Sequence, residues 1–330
     1  MAKKALLQAV RDAYIEEMTR DPKILLFGED VIISLFGDTR GLRDQFGEAR
    51  VRDAPISEGA LTSMAVGVAM TGRPVICHLM FSNFIYTGFD GIANQAAKLR
   101  FMTGGQATLP VTYVAVMGGG ASNAAQHSDT PYPVIMNLGG VNVVVPATAA
   151  DAKGLMKTAL RGRNPTVFLV PRSRAGLVGE IPEGDHLVPF GRAVIHRPGR
   201  DITIVAIGST VNHALAAAAT LEKEGIEAEI VDPRTLVPLD RATILESVAR
   251  TGRLIIVDEA RDTCSAASQI AAIVADQGFD TLTAPIRRIT VPDTPLPYAP
   301  VLEKSLVPNP EKIVTAAIEL VRRGRMERVL

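Results

Sequence analysis

The chain has 330 residues, balances 35 basic against 35 acidic side chains, and is 47% hydrophobic and 21% charged. That length holds about two domains, each able to bury a core of its own, and the composition is globular rather than disordered or fibrous. A formal charge of zero provides no basic field for nucleic acid and favours association. No apolar run approaches the roughly 20 residues needed to cross a bilayer. The first residues carry no secretory core, so a cytoplasmic location is expected. Cys77 and Cys264 have no metal-ligand spacing and make no disulfide framework, which suits a reducing compartment.

Lys3 to Arg20 reads as an amphipathic helix, with Leu6, Leu7, Val10, Tyr14 and Met18 on one face. Asp21-Pro22 ends it. Ile24–Phe27 is a short apolar strand closed by Gly28, and Gly59–Met70 is an apolar helix. Pro74–Leu79 reads as a strand, Phe84–Phe101 as a long helix and Val111–Val116 as a buried strand. Gly118–Gly120 opens a loop that runs past His127. Val141–Val145, Ala150–Leu160 and Thr166–Val170 repeat strand, helix, strand.

Strands apolar throughout, alternating with helices, imply a parallel sheet covered on both faces. Pro171–Gly199 is rich in Pro, Gly and Arg and has no helical period, so it reads as a linker. A second α/β unit follows. Its strands are Ile202–Ile207, Ala228–Val231, Leu254–Val257 and Ile286–Val291; its helices are Val211–Glu224, Ser265–Gln277 and Glu311–Arg322. Pro292–Pro310 holds six prolines and reads as an extended surface path. The fold class is α/β. The division is 1–175 for the first domain, 176–199 for the linker and 200–330 for the second domain.

Four segments offer chemistry. In Asp53-Ala54-Pro55-Ile56-Ser57-Glu58-Gly59, the plain reading is helix entry: Ser57 caps, and Glu58 is an acid favoured by the dipole. The functional reading places a carboxylate at the carboxyl edge of a parallel sheet, where ligands bind. The apolar stretch after it lowers its solvation, and a poorly solvated acid can share a proton with a heterocyclic nitrogen. His127, in Ala124–Ser128, is either a surface-loop histidine or a general acid/base. Phe81-Ser82-Asn83-Phe84 is either core or a wall for a flat heteroaromatic ring. Glu29-Asp30 is either a solvated turn or a second acid at the same edge. Gly118–Gly120 and Gly208-Ser209 lack the context of a dinucleotide or P-loop motif, which counts against nicotinamide binding.

Taken in order, these segments resemble the beta subunits of the 2-oxo acid dehydrogenase decarboxylase component, the pyruvate, branched-chain and acetoin dehydrogenases. The resemblance rests on Phe27-Gly28-Glu29-Asp30-Val31, Val51–Glu58, Asn94–Lys98 with Met102–Gly105, Ala125–Ser128, Asp151–Leu155, Val231–Asp240 and Pro297–Lys304. It implies a transketolase-like architecture, with a pyrimidine-binding domain followed by a transketolase C-terminal domain. It implies thiamine diphosphate as cofactor. Glu58 matches the glutamate that hydrogen-bonds N1′ of the aminopyrimidine, and Phe84 the ring that packs against it. His127 matches the histidine that assists acyl transfer to a lipoyl group, and Glu29 an acid that relays protons between paired sites. Backbone carbonyls at Ala159, Leu160, Gly162 and Asn164 match a monovalent-cation loop, a potassium site.

The chain has no Gly-Asp-Gly, the motif that binds Mg²⁺-diphosphate in thiamine enzymes. The resemblance therefore implies an alpha subunit that holds the Mg²⁺, an α₂β₂ heterotetramer, and a lipoyl-bearing acyltransferase as acceptor. The substrate, a 2-oxo acid or acetoin, stays open. The C-terminal half of a split transketolase and a nonenzymatic α/β scaffolding subunit are the competing readings. The chain departs from the family pattern at Val31–Arg40, Ala54, Gly118–Asn123 and Asn137–Gly140.

Overall fold

The computed structural model describes residues 2–326. The chain divides into two compact units. The first takes the chain up to Gly118 together with Gln126–Phe190; the second takes Gly119–Ala125 and everything from Gly191 onward.

In the first unit the strands are β1 (Ala2–Ala5), β2 (Leu25–Gly28), β3 (Val51–Asp53), β4 (Val75–Phe81), β5 (Val111–Met117), β6 (Asn142–Val144), β7 (Thr166–Pro171) and β8 (Val178–Ile181). The helices are α1 (Leu6–Arg20), α2 (Leu42–Phe46), α3 (Glu58–Met70), α4 (Ala97–Met102), α5 (Tyr132–Met136) and α6 (Ala149–Arg161). Six strands make a parallel sheet in the order β6-β7-β5-β4-β2-β3. Every residue of β5 and β7 is buried, as a strand covered on both faces requires. α1 lays Leu6, Leu7, Val10, Tyr14 and Met18 into the same core as Leu155, Met156 and Leu160 of α6. Thr148 caps α6 by accepting the Asp151 amide.

In the second unit the strands are β9 (Val194–Arg197), β10 (Ile202–Ala206), β11 (Ala228–Asp232), β12 (Thr235–Val237), β13 (Leu254–Arg261) and β14 (Arg287–Val291). The helices are α7 (Thr210–Lys223), α8 (Arg241–Thr251), α9 (Ala266–Gln277), α10 (Pro300–Leu306) and α11 (Pro310–Met326). Its sheet runs β14-β13-β10-β11-β9, parallel except for β9 at the edge. Asp240 and Ser265 cap α8 and α9 by accepting the amides of Thr243 and Ser268.

Four expectations are corrected. The helix expected from Lys3 begins at Leu6, because Ala2–Ala5 is drawn into antiparallel pairing with Val178–Ile181. The long helix expected over Phe84–Phe101 is broken into a 3₁₀ turn at Ser82–Tyr86, a π turn at Gly91–Ala96 and then α4. Gly91 lets the π turn pass close to α3, since a Cβ there would stand 2.4 Å from Thr62 Oγ1. The proline-rich path contains helix α10, which Pro300 starts from its first turn, where a missing N–H costs nothing. Ser57 does not cap α3; its hydroxyl donates to the Pro55 carbonyl at 2.8 Å.

Candidate active site

Four adjacent strands of the first unit, β5-β4-β2-β3, deliver the singled-out side chains at their carboxyl ends. Glu29 follows β2, Glu58 opens the helix after β3, Phe84 lies in the turn after β4, and His127 closes the loop after β5. The carboxyl edge of a parallel sheet is where such folds bind ligands.

The two acids meet there. Glu29 and Glu58 are 3% and 8% exposed. Burial, then the neighbouring charge of Glu58, pushes the Glu29 carboxyl up to about 7; the Ser57 amide and His78 oppose the rise. Two carboxylates sharing a sparsely hydrated site cannot both ionise freely. The proton affinity of Glu29 is raised accordingly. Its Oε1 is buried and meets no hydrogen-bond partner among the described residues.

Glu58 is held through its backbone. Its carbonyl accepts the Thr62 hydroxyl at 2.9 Å, and that hydroxyl also reaches the Gly88 carbonyl at 2.8 Å. Tyr113 of β5 donates to the Thr62 carbonyl at 3.0 Å. The Gly88 amide in turn donates to the Phe84 carbonyl at 3.4 Å. The turn that carries Phe84 is thus joined to the first turn of α3.

The same sheet edge carries a wall of rings. Phe81 meets His127 edge-on with ring centres 4.6 Å apart, and Phe84 meets it at 5.4 Å. Phe81 also contacts Phe84 at 5.9 Å and Phe36 at 5.1 Å, both edge-on. Arg172 lies over Phe36 at 5.7 Å. Ser82 donates to the Asp129 carbonyl at 2.7 Å, and the Asp129 amide donates to the Asn83 side chain at 3.1 Å. Those bonds tie the β4 turn to the segment after His127. The neighbouring Ser128 Oγ is buried without a partner among the described residues.

Two pairs of expected residues come together, Glu29 with Glu58 and Phe84 with His127. The expected cation loop lies elsewhere. Ala159 and Leu160 are in the last turns of α6, and Gly162 ends the helix. The Ala159 carbonyl accepts the Gly162 amide at 3.0 Å, and Asn164 accepts a bond from Arg100. Each carbonyl oxygen keeps a second lone pair.

Residues 2–176 match the transketolase pyrimidine binding domain, and residues 191–313 match the transketolase C-terminal domain. The acetoin:2,6-dichlorophenolindophenol oxidoreductase subunit beta of Bacillus subtilis (strain 168) is 44% identical, over 96% of this chain and 97% of that one. The chain belongs to the family of transketolase-fold dehydrogenase beta subunits. The 2-oxoisovalerate dehydrogenase subunit beta of Bacillus subtilis (strain 168) is another relative, 39% identical over 97% of this chain and 99% of its own length. A solved split-gene transketolase, described as an inactive beta4 tetramer, superposes with a TM-score of 0.79 at 26% identity, covering 97% of this chain and 98% of that one.

For a dehydrogenase beta subunit the residues present suit an aminopyrimidine. Such a ring is flat and carries both donor and acceptor nitrogens. The site offers aromatic edges, an acid pair and an unsatisfied carboxyl oxygen. Sequence reading missed Phe36 as part of the wall, and it missed the buried pair His78–Asp38 next to Glu29. No motif marks either one. Phe81 was legible only as half of the Phe81–Phe84 stretch.

Proposed function

We propose that this chain is the beta subunit of a thiamine-diphosphate-dependent dehydrogenase that cleaves acetoin or decarboxylates a 2-oxo acid and passes the acyl unit to a lipoyl group. Acetoin is placed first by a narrow margin, since two acetoin subunits are 44% identical, against 42% for a pyruvate dehydrogenase subunit and 39% for the 2-oxoisovalerate subunit. The observation that carries the reading is the acid pair Glu29–Glu58 at the same sheet edge as the Phe84–His127 wall.

In this reading Glu58 holds a proton between its carboxyl and a ring nitrogen of the aminopyrimidine, and Phe84 supports the flat face. Bound thiamine diphosphate supplies the electron sink for breaking the carbon–carbon bond. Glu29, with its proton affinity near neutrality, takes and returns protons at the same edge. His127, oriented by Phe81 and Phe84, donates or accepts a proton at the substrate oxygen during acyl transfer. The rings and apolar walls exclude water from the reacting centre.

The chain supplies no Gly-Asp-Gly, so an alpha subunit would grip the Mg²⁺ and the diphosphate in an α₂β₂ heterotetramer. A lipoyl-bearing acyltransferase would receive the acyl group. The turn from Ala159 to Asn164 would hold potassium through its carbonyls, read by stabilisation in K⁺ over Na⁺. The proposed location is cytoplasmic; separately, among the described residues no helix is long and apolar enough to cross a membrane.

The test is co-expression with the alpha subunit and assay with acetoin and a panel of 2-oxo acids, using 2,6-dichlorophenolindophenol as acceptor. Glu58→Gln should leave assembly intact and lower turnover by about 100-fold or more, in line with a lost acid–base group. Undiminished turnover would remove Glu58 from the mechanism.

A further inference from the structure

We propose that Asp38 and His78 form a positioning pair for the Glu29–Glu58 site, fastening the Val31–Phe36 loop to β4 and setting an imidazole beside Glu29. The inference rests on the reading of that site given above.

His78 Nε2 and Asp38 Oδ2 are 3.0 Å apart, and both side chains are sealed from solvent. An ionisable pair that deep costs desolvation and has to be repaid by good geometry. Asp38 ends a loop that is also tied to the sheet where the Ile32 amide donates to the Asp53 side chain at 2.8 Å, and that is otherwise bonded mostly to itself. The Ser34 amide donates to the Asp30 carbonyl at 2.8 Å, and the Thr39 hydroxyl donates to the Val31 carbonyl at 2.7 Å. The Thr39 amide reaches the Ser34 hydroxyl at 3.1 Å. Ile33 and Leu35 of this loop face solvent, while Phe36 packs on Phe81. Asp38 is therefore a tie between the loop carrying Phe36 and the sheet beneath it. Through Phe81, the position of Phe36 bears on the His127 ring.

His78 also adjoins Glu29 directly. The strand register pairs Gly28 with His78, and the Glu29 amide donates to the His78 carbonyl at 3.2 Å. The approach is so close that a Cβ at Gly28 would stand 2.1 Å from the His78 oxygen. The charged groups that face His78 are Asp38, Glu29 and Asp30. Those facing Glu29 are Glu58, His78 and Asp30, with the Cys77 thiol close by; Tyr14 faces Asp38. Burial works against the imidazolium, but the three carboxylates outweigh it and Asp38 contributes most. The Met80 amide donates to Nδ1 at 3.4 Å, a long bond that only the neutral ring can accept, so it opposes the carboxylates weakly. An imidazolium here offsets the repulsion that Glu58 exerts on Glu29.

The experiment is NMR on the full chain without cofactor, following histidine ¹⁵N and glutamate ¹³Cδ shifts against pH. Signals are assigned with His78→Gln and Glu29→Gln. In the unaltered chain His78 should stay cationic to higher pH than an ordinary imidazole. Asp38→Asn should lower the His78 midpoint and raise that of Glu29, and His78→Gln should raise Glu29 alone. In the assembled enzyme Asp38→Asn should move the Glu29 limb of the pH–rate profile in the same direction. A His78 midpoint at or below the free value in the unaltered chain overturns the pair, whether or not the variants fold. So does a Glu29 midpoint that neither substitution moves. Full turnover in Glu58→Gln would defeat the cofactor reading and leave these titrations standing.

Discussion

Gly88 lies against the backbone of Glu58: a Cβ at Gly88 would stand 2.7 Å from the Glu58 carbonyl oxygen and 2.7 Å from Thr62 Cγ2. Neither neighbour can yield easily, since one is backbone and the other belongs to a buried threonine bonded at both ends. Gly88→Ala should therefore push the first turn of α3 and displace Glu58. Overpacking of this kind costs about 1–3 kcal/mol, and a displaced catalytic carboxylate can lose about 100-fold in rate. Gly67→Ala in the same helix meets nothing within 4 Å and should raise stability by up to about 1 kcal/mol. Thermal unfolding and turnover of the two variants check the contrast. Equal behaviour would show that the close approach does not position Glu58.

Glu29 should write a pH dependence into stability. Its folded-state affinity for a proton is raised from an ordinary 4.5 to about 7, first by burial and then by Glu58. The folded state therefore holds a proton that the unfolded chain releases between those values. Folding stability should fall as pH rises through that window and level off above it. Glu29→Gln, which cannot ionise, should flatten that decline. Urea unfolding at several pH values between 4.5 and 8 measures it. Parallel curves for the two proteins would place Glu29 in water.

Glu29 was legible because it follows an apolar strand directly, and Glu58 because it opens an apolar helix, both at the edge where a sheet of this class presents its ligand. The sheet itself was legible because β5 and β7 are mostly apolar, as strands buried along their whole length must be. What stayed hidden depends on contacts distant in sequence. Gly91 reads as an ordinary residue of a long helix until Thr62 is placed 2.4 Å from its absent Cβ. Asp38 reads as a turn residue until β4 brings His78 to it across 40 positions. The capping role of Ser57 follows from local pattern, but its hydroxyl is turned to the Pro55 carbonyl and accepts no amide of α3.

Phe81 should matter more than its place in sequence suggests, because it touches Phe36, Phe84 and His127 together. Each edge-on pair contributes roughly 0.5–1.5 kcal/mol beyond buried area. Phe81 is half-buried, so Phe81→Ala should cost about 2–3 kcal/mol, below the roughly 3–5 of a fully buried phenylalanine. His127 should lose its fixed orientation, so the His127 proton shifts should move toward those of a free ring. Phe81→Leu should restore most of the stability and little of the ring ordering. Unchanged His127 shifts in Phe81→Ala would assign the orientation of His127 to some other contact.

A last prediction separates two carboxylates that share one arginine. Arg161 donates to Glu17 through Nη2 at 2.7 Å and Nε at 3.0 Å, and to Asp185 through Nη2 at 2.7 Å and Nη1 at 2.8 Å. Arg161, then Lys157, holds the Asp185 carboxyl well below its ordinary range. The Asp185 side chain is 58% exposed, however, so water and salt screen those bonds, whereas the Glu17 side chain is 1% exposed and also binds Arg20 at 2.6 Å. Exposed pairs contribute little, while breaking a buried one strands its partner. Glu17→Ala should therefore destabilise the chain by about 2 kcal/mol, with little dependence on salt, because Arg161 loses the buried acid that faces it from α1, while Lys157 keeps Glu16 at 2.6 Å. Asp185→Ala should cause only a marginal loss that added salt erases. Urea unfolding at low and high ionic strength distinguishes the two, and a larger loss at Asp185 would mean that exposure is a poor guide to which bond holds α1 against α6.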